Sequence, residues 1–249
     1  KNEQEFHSKM HSIAFRKTKK ECLDLPPKIY EKELIEMIPD QKQVYKEMEK
    51  DAIASYKDKT CAATVVITKF LRLSQIAGGF FPDTENDGGE YITPNKKLDR
   101  LIEIISEIPI TEQIVIWARF QKEIEVISER LNKEEISNVT FYGKTNFNDR
   151  KIAGEKILNK EIRVFISNPA TGGYGLNFLK EINNVIFYSL DYSSGTHQQA
   201  VDRTHRIGTK VAVIYIYLLT KNTIDEQVYR VLQDNKDFSD ELLNRRITL

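Results

Sequence analysis

Cysteine is almost missing from this chain: Cys22 and Cys61 are the two thiols in 249 residues, and they share no metal-ligand spacing. That excludes a disulfide scaffold and points to a reducing compartment, hence the cytoplasm, while leaving open a single bridge between the pair. No apolar run reaches the ~18 residues of a membrane span. The longest, AVIYIYLL (212–219), has strand length. The amino terminus is charged and has no apolar core segment, so no signal peptide is read there. An excess of either charge is also lacking, since 37 Lys and Arg balance 37 Asp and Glu. The basic balance that announces a nucleic-acid partner is therefore absent, although a local patch is enough to meet phosphates. The first residue is a lysine, which suits a piece of a longer protein.

A complete nucleotide-hydrolysis kit is missing too. Gly143-Lys144-Thr145 looks like the end of a phosphate-binding loop. Such a loop needs an earlier glycine, four residues before the Gly-Lys pair, so that backbone amides wrap the phosphates. Asn138 stands at that place, in a strand-like stretch, and the tripeptide reads as a strand-to-helix turn. No other glycine-rich phosphate loop occurs, and no DExx or DExH pattern follows a strand to hold magnesium.

What the chain does hold is 40% apolar, 10% aromatic and 30% charged residues, a globular composition with a sizeable core. Its length suits one large domain or two small ones. Residues 1–20 are polar and basic, densest at FRKTKK (15–20), and DLPPK (24–28) is a rigid extended stop. Val44, Met48, Ile53 and Tyr56 among many charges suit an exposed amphipathic helix over 40–57. Residues 62–77 read as a more apolar helix, and DTENDGGE (83–90) as an acidic loop. The first 90 residues are thus read as a mostly helical extension.

From about residue 95 the pattern alternates. Leu98, Leu101, Ile102, Ile105 and Ile108 share a helical face over 95–108. Further helices are read over 120–132, 147–159 (capped by Asn146 or Asn148), 196–206 and 223–236. Strands are read at IVIW (114–117), VTFY (139–142), RVFIS (163–167), NVIFYS (184–189) and AVIYIYLL. Strands that are apolar throughout belong to a mainly parallel sheet covered on both faces by crossover helices, an α/β three-layer arrangement. Sites in such folds lie at strand carboxyl ends, here after residues 117, 142, 167 and 189.

Two segments there could carry chemistry. ATGGYGLNF (170–178) has three glycines within four residues, which fits either a plain turn or a close backbone approach to a ligand. In QQAVDRTHRIG (198–208), Gln199, Arg203 and Arg206 are spaced i, i+4, i+7, so one helical face presents an amide and two guanidiniums. Paired arginines stabilise charge on a transferring phosphoryl group. A solvated face with an Asp202–Arg206 ion pair is the plainer reading of the same spacing. The order strand, glycine turn, strand, arginine helix shifts the balance towards a site.

These segments together resemble helicase motifs V and VI of the Swi/Snf-like branch of superfamily 2. IVIWARF (114–120) is similar to motif IV, FYGKT (141–145) to the family's next strand-end turn, and NKKLDRL (95–101) to the start of its second lobe. FRKTKKECLDLPPK (15–28) is similar to the stretch before that lobe. The chain departs from the family at Tyr192 for tryptophan, Ser193-Ser194 for Asn-Pro, Thr209 for glutamine, and Ala170-Thr171 at the glycine turn.

The resemblance implies a RecA-like C-terminal lobe over 91–249, with 1–90 as helical extension and linker from a first lobe. It implies half of a DNA-dependent ATPase, inactive alone, with ATP and Mg2+ held mainly by the first lobe of the same polypeptide, double-stranded DNA as partner, and no membrane. No residue is assigned to a metal. Arg203 and Arg206 are the implied arginine fingers. Gln199, Gly173, Gly175 and Asn177 are the implied nucleotide contacts, and Ser167, Arg119, Gly143, Lys144 and Thr145 the implied DNA contacts. Asp202 would orient an arginine, while His205 and Trp117 read as packing residues. The location is then the cytoplasm of a bacterial or phage-infected cell, or the nucleus of a eukaryote. A non-catalytic platform that binds nucleic acid or protein is the competing reading, against which the arginine pair speaks. An RNA helicase lobe fits less well, because Thr209-Lys210-Val211 follow Gly208 where that class carries arginine.

Overall fold

Residues 114–117, 164–167 and 184–187 are buried at every position, as strands covered on both faces must be. The computed structural model describes Lys9 and residues 24–57, 59–63, 65–85, 88–143, 147–171 and 176–234. Its first part runs β1 (Lys28–Ile35), α1 (Pro39–Asp51), β2 (Ile53–Tyr56), β3 (Lys59–Ala62), α2 (Val66–Ala77), β4 (Phe80–Asp83) and β5 (Gly88–Tyr91). Next come α3 (Lys96–Glu107), β6 (Ile114–Trp117), α4 (Gln121–Lys133), β7 (Asn138–Phe141), α5 (Phe147–Leu158) and β8 (Val164–Ser167). Two short 3-10 turns then lead to β9 (Asn184–Phe187), α6 (Ser194–Thr204), β10 (Val213–Thr220) and α7 (Ile224–Gln233).

Six strands form one sheet in the order β1-β10-β9-β6-β8-β7, every pair parallel. Side chains alternate between faces. Val115, Trp117, Val185 and Phe187 enter one core with residues of α1, α2, α5, α6 and α7. Ile114, Ile116, Ile186 and Tyr188 enter a second core with α3 and α4. This is the expected RecA-like α/β arrangement with a mainly parallel sheet. Among the described residues no helix is long and apolar enough to cross a membrane.

The segment before residue 91 departs from the helical reading. It contains α1 and α2, but also β1 and the antiparallel hairpins β2–β3 and β4–β5. β1 is an edge strand whose residues 29–32 are exposed, so charges break up its apolar alternation, as edges require. The helix expected over 40–57 stops at Asp51, where Ala52 turns left-handed (φ 56) and caps α1. Part of the expected acidic loop is strand instead: Gly88–Tyr91 pairs with Phe80–Asp83, and Gly89 lies against the Phe80 ring, where a Cβ would clash. α5 starts at Phe147, so Asn148 is inside it; Asn146 lies outside the described residues.

A buried ion pair joins the two helical layers at the carboxyl end of the sheet. Lys97, in the first turn of α3, places Nζ 2.7 Å from Asp225 Oδ2 in the first turn of α7, with side-chain exposures of 2% and 8%. Asp225 Oδ2 also accepts the Thr220 amide (3.1 Å), and the Lys97 ammonium lies over the Tyr188 ring. Removing one member strands a buried charge. Lys97→Met should therefore destabilise the chain by about 3–5 kcal/mol. Adding Asp225→Asn should recover part of the loss, which urea unfolding of the wild type and the two variants measures.

Candidate functional site

Past the apolar strands the chain must turn polar, and three strand ends are tied together there. The Arg119 amide donates to Ser189 Oγ at 2.7 Å. Asn168 Nδ2 donates to the Arg119 carbonyl, and the Ala118 amide to the Ser167 carbonyl. Ser189 Oγ in turn donates to Glu123 Oε2, which also accepts the Phe120 amide at 3.2 Å. Glu123 is 1% exposed, and burial pushes its carboxyl up to about 7 against the pull of the Ser189 hydrogen bond and the Lys97 charge.

The Arg119 guanidinium lies 3.7 Å from the centre of the Tyr192 ring, and its Nη1 is buried without a hydrogen-bond partner. Tyr192 is held from α2: its hydroxyl donates to the Phe70 carbonyl (2.8 Å) and shares a 2.7 Å hydrogen bond with Ser74 Oγ. Arg119 is thus half-buried against an aromatic face. Ser167 is wholly buried, and its hydroxyl donates to the Asn168 carbonyl at 3.3 Å. Gly143 is exposed, with nothing within 4 Å of an added Cβ. Lys144, Thr145, Gly173 and Gly175 lie outside the described residues. The backbone of Asn177 opens the second 3-10 turn.

α6 begins at an Ser193 cap, whose Oγ accepts the Thr196 amide, and buries His197, Ala200, Val201 and Thr204 against the sheet. Its other side leaves Gln199 exposed and Arg203 half-buried. The Arg203 guanidinium carbon is 5.6 Å from the centre of the Trp117 ring, and Nη1 is buried with no partner. Burial lowers the pKa of Arg203.

Arg206 is not on that helical face. α6 ends at Thr204, His205 caps it with a non-helical backbone (φ −105, ψ 85), and Arg206 is exposed on the turn beyond. The regular i+7 spacing fails because the turn has its own ties. Gly208 takes φ +101, and Thr209 Oγ1 accepts the Arg206 amide at 3.1 Å while donating back to the turn. His205 Nε2 donates to the Pro26 carbonyl at 2.7 Å, anchoring this turn to the approach of β1. Asp202 lies 3.8 Å from Lys28.

Sequence reasoning missed Glu123 and the support from α2. Glu123 occupies the third helical position, where a carboxylate caps well, but Phe120 at the cap hides the usual serine–glutamate signature. Contacts of Tyr192 with Phe70 and Ser74 span some 120 residues and leave no local pattern.

Residues 96–208 match the family described as helicase conserved C-terminal domain. An uncharacterized ATP-dependent helicase of Mycoplasma genitalium is 25% identical over 243 residues, covering 95% of this chain and 23% of that protein. The chain spans about a quarter of the length of the bacterial relatives it matches. The Sulfolobus solfataricus SWI2/SNF2 ATPase core in complex with dsDNA superposes with TM-score 0.65 and 25% identity, over 93% of this chain and 50% of that one. The C-terminal part of the Fun30 ATPase domain shares the fold, with TM-score 0.67 and 20% identity over 84% of this chain and 90% of that one.

The Glu123 carboxyl keeps its proton to higher pH in the folded chain than at its ordinary value of 4.5. The folded state then binds more protons than the unfolded one between those values, so stability falls as pH rises from 4.5 to about 7. Glu123→Gln should flatten that part of the profile, read from urea midpoints measured across the interval.

Proposed function

We propose that this chain, whose residues 96–208 match the helicase conserved C-terminal domain family and whose fold resembles a SWI2/SNF2 ATPase core, is the second motor lobe of a double-stranded DNA translocase. The lobe, expected over 91–249, would also take in residues 28–90, because β1 pairs with β10 in the same sheet and α1 and α2 pack into its core; the residues before β1 would be the run-in from a first lobe of the same polypeptide. The observation that carries the proposal is Arg203: a half-buried guanidinium beside the Trp117 ring, with a buried Nη1 that has no acceptor. Such a donor suits an incoming phosphate oxygen, whose charge grows as the γ-phosphoryl group departs. Gln199, one turn earlier on α6, would add an amide, and Arg206 would reach the same group from the exposed turn. Gly173, Gly175 and Asn177 would border the nucleotide from the segment after β8.

ATP and Mg2+ would be held mainly by the first lobe, where the metal neutralises phosphate charge when bound. This lobe would contribute the cationic and amide donors named above, which fit phosphate oxygens. Closing the lobes over ATP would bring these donors in, and hydrolysis would release them, each cycle shifting the grip on DNA.

The DNA backbone would run over the turn at Gly143, Lys144 and Thr145. Arg119 and Ser167 would serve that face from beneath, one lying on Tyr192 and the other buried. The relative solved with double-stranded DNA supports this partner. Backbone contacts carry little sequence preference.

Two measurements test the proposal. In the full-length protein, Arg203→Ala and Arg206→Ala should each lower DNA-stimulated ATP turnover about 10³-fold or more. ATP binding and thermal melting should change little, and lysine should rescue poorly for want of a planar fork of donors. Near-normal turnover would leave the lobe as a binding platform. Duplex affinity should fall with log salt by about 0.9 per phosphate contact, and Lys144→Glu should weaken it; unchanged binding would remove that turn from the DNA face.

A further inference from the structure

We propose that Trp117 is the positioning residue for Arg203, an aromatic platform that fixes the guanidinium while leaving its donors free. This rests on the reading of Arg203 as phosphate-facing. Trp117 ends the central strand β6 and is fully buried. Its ring meets Phe165 edge-on, with centroids 6.2 Å apart and planes at 87°, inside a core that also holds Phe187. The indole has no room to turn, so whatever rests on it inherits its position.

Arg119 likewise lies on a ring, that of Tyr192, but three other guanidiniums are held by oxygen partners. Arg100 pairs with Glu33, Glu103 and Glu107, and Arg130 with Asp99 and Glu134. Arg163 donates to the carbonyls of Ile105 and Ile108 at 2.8 and 2.7 Å. Each of these arrangements consumes N–H groups, and a carboxylate also offsets the positive charge. No hydrogen bond or ion pair of the Arg203 side chain is found among the described residues; its guanidinium lies 5.6 Å from the Trp117 ring centre. A ring face attracts a cation through its quadrupole and takes up no donor. The geometry therefore holds Arg203 in place with its charge unpaired and no side-chain donor drawn into a hydrogen bond. Ile116, the neighbouring strand residue, faces the opposite core, so β6 offers this platform at Trp117 and not one residue earlier.

The test combines turnover in the full-length protein with emission of this 249-residue chain, which contains a single tryptophan. Trp117→Leu keeps an apolar side chain but removes the ring face, and should lower kcat about tenfold with little change in KM for ATP. Trp117→Phe restores a face and should recover to within about threefold of wild type. In an Arg203→Ala background, Trp117→Leu should alter kcat less than about twofold, because the group it positions is gone. Arg203→Met should shift Trp117 emission, and Arg206→Ala should not. If the Trp117→Leu and Arg203→Ala losses multiply, or Trp117→Phe falls as far as Trp117→Leu, Trp117 is a packing residue and the proposal fails. Unchanged emission in Arg203→Met overturns the platform whatever the kinetics show. Full turnover in Arg203→Ala, with the emission shift present, instead overturns the phosphate-facing reading and leaves the contact standing.

Discussion

Two opposite charges sealed from water, Lys97 and Asp225, hold one helix from each layer against the carboxyl end of the sheet. A buried pair is tolerable only when both members stay engaged, and here the Thr220 amide and the Tyr188 ring complete the engagement. The same strand ends fix α2. Thr220 Oγ1 and Gln41 Nε2 donate to the Ala77 carbonyl, and the Tyr188 hydroxyl to Gly78. With its carboxyl end anchored, α2 can hold the Tyr192 hydroxyl through Phe70 and Ser74, and Tyr192 supports Arg119. A line of dependence thus runs from the ion pair, through backbone carbonyls, to a side chain at the rim of the sheet.

Guanidiniums of the described residues are held in two ways. Arg100, Arg130 and Arg163 have oxygen partners and act as ties between elements. Arg119 and Arg203 rest on aromatic faces, and each retains a buried nitrogen without an acceptor. An unsatisfied buried donor costs free energy, which an acceptor brought to either side chain would relieve.

The central strands were legible because burial on both faces leaves no room for alternation: IVIW, VFIS and NVIF read as uninterrupted apolar runs and fold as such. α3 and α6 were legible from spacing, and Gln199 and Arg203 share a helix as their separation of four requires. Arg206 was misplaced because nothing in the helical spacing announces the stop at His205; the stop is made by Thr209 and Gly208, which lie after it. β1 was unreadable for the opposite reason to β6. An exposed edge carries Glu31, Lys32 and Glu33 for its own protection, and those charges mask the strand. Glu123 and Tyr192 depend on partners far off in the chain, so their roles exist only in the fold.

β1 pairs with β10 along its full length, from Lys28 with Val213 to Ile35 with Thr220. Closing so long a loop is entropically costly, and contacts of this kind form late in folding. Until they form, β10 presents VIYIYLLT as a bare apolar edge, the sort of template on which a second copy can stack. Synthesis from the amino terminus removes much of that hazard, since β1 has left the ribosome well before β10 appears. A lobe produced from residue 91 onward would lack the covering strand altogether, and its solubility would hang on that one exposed edge.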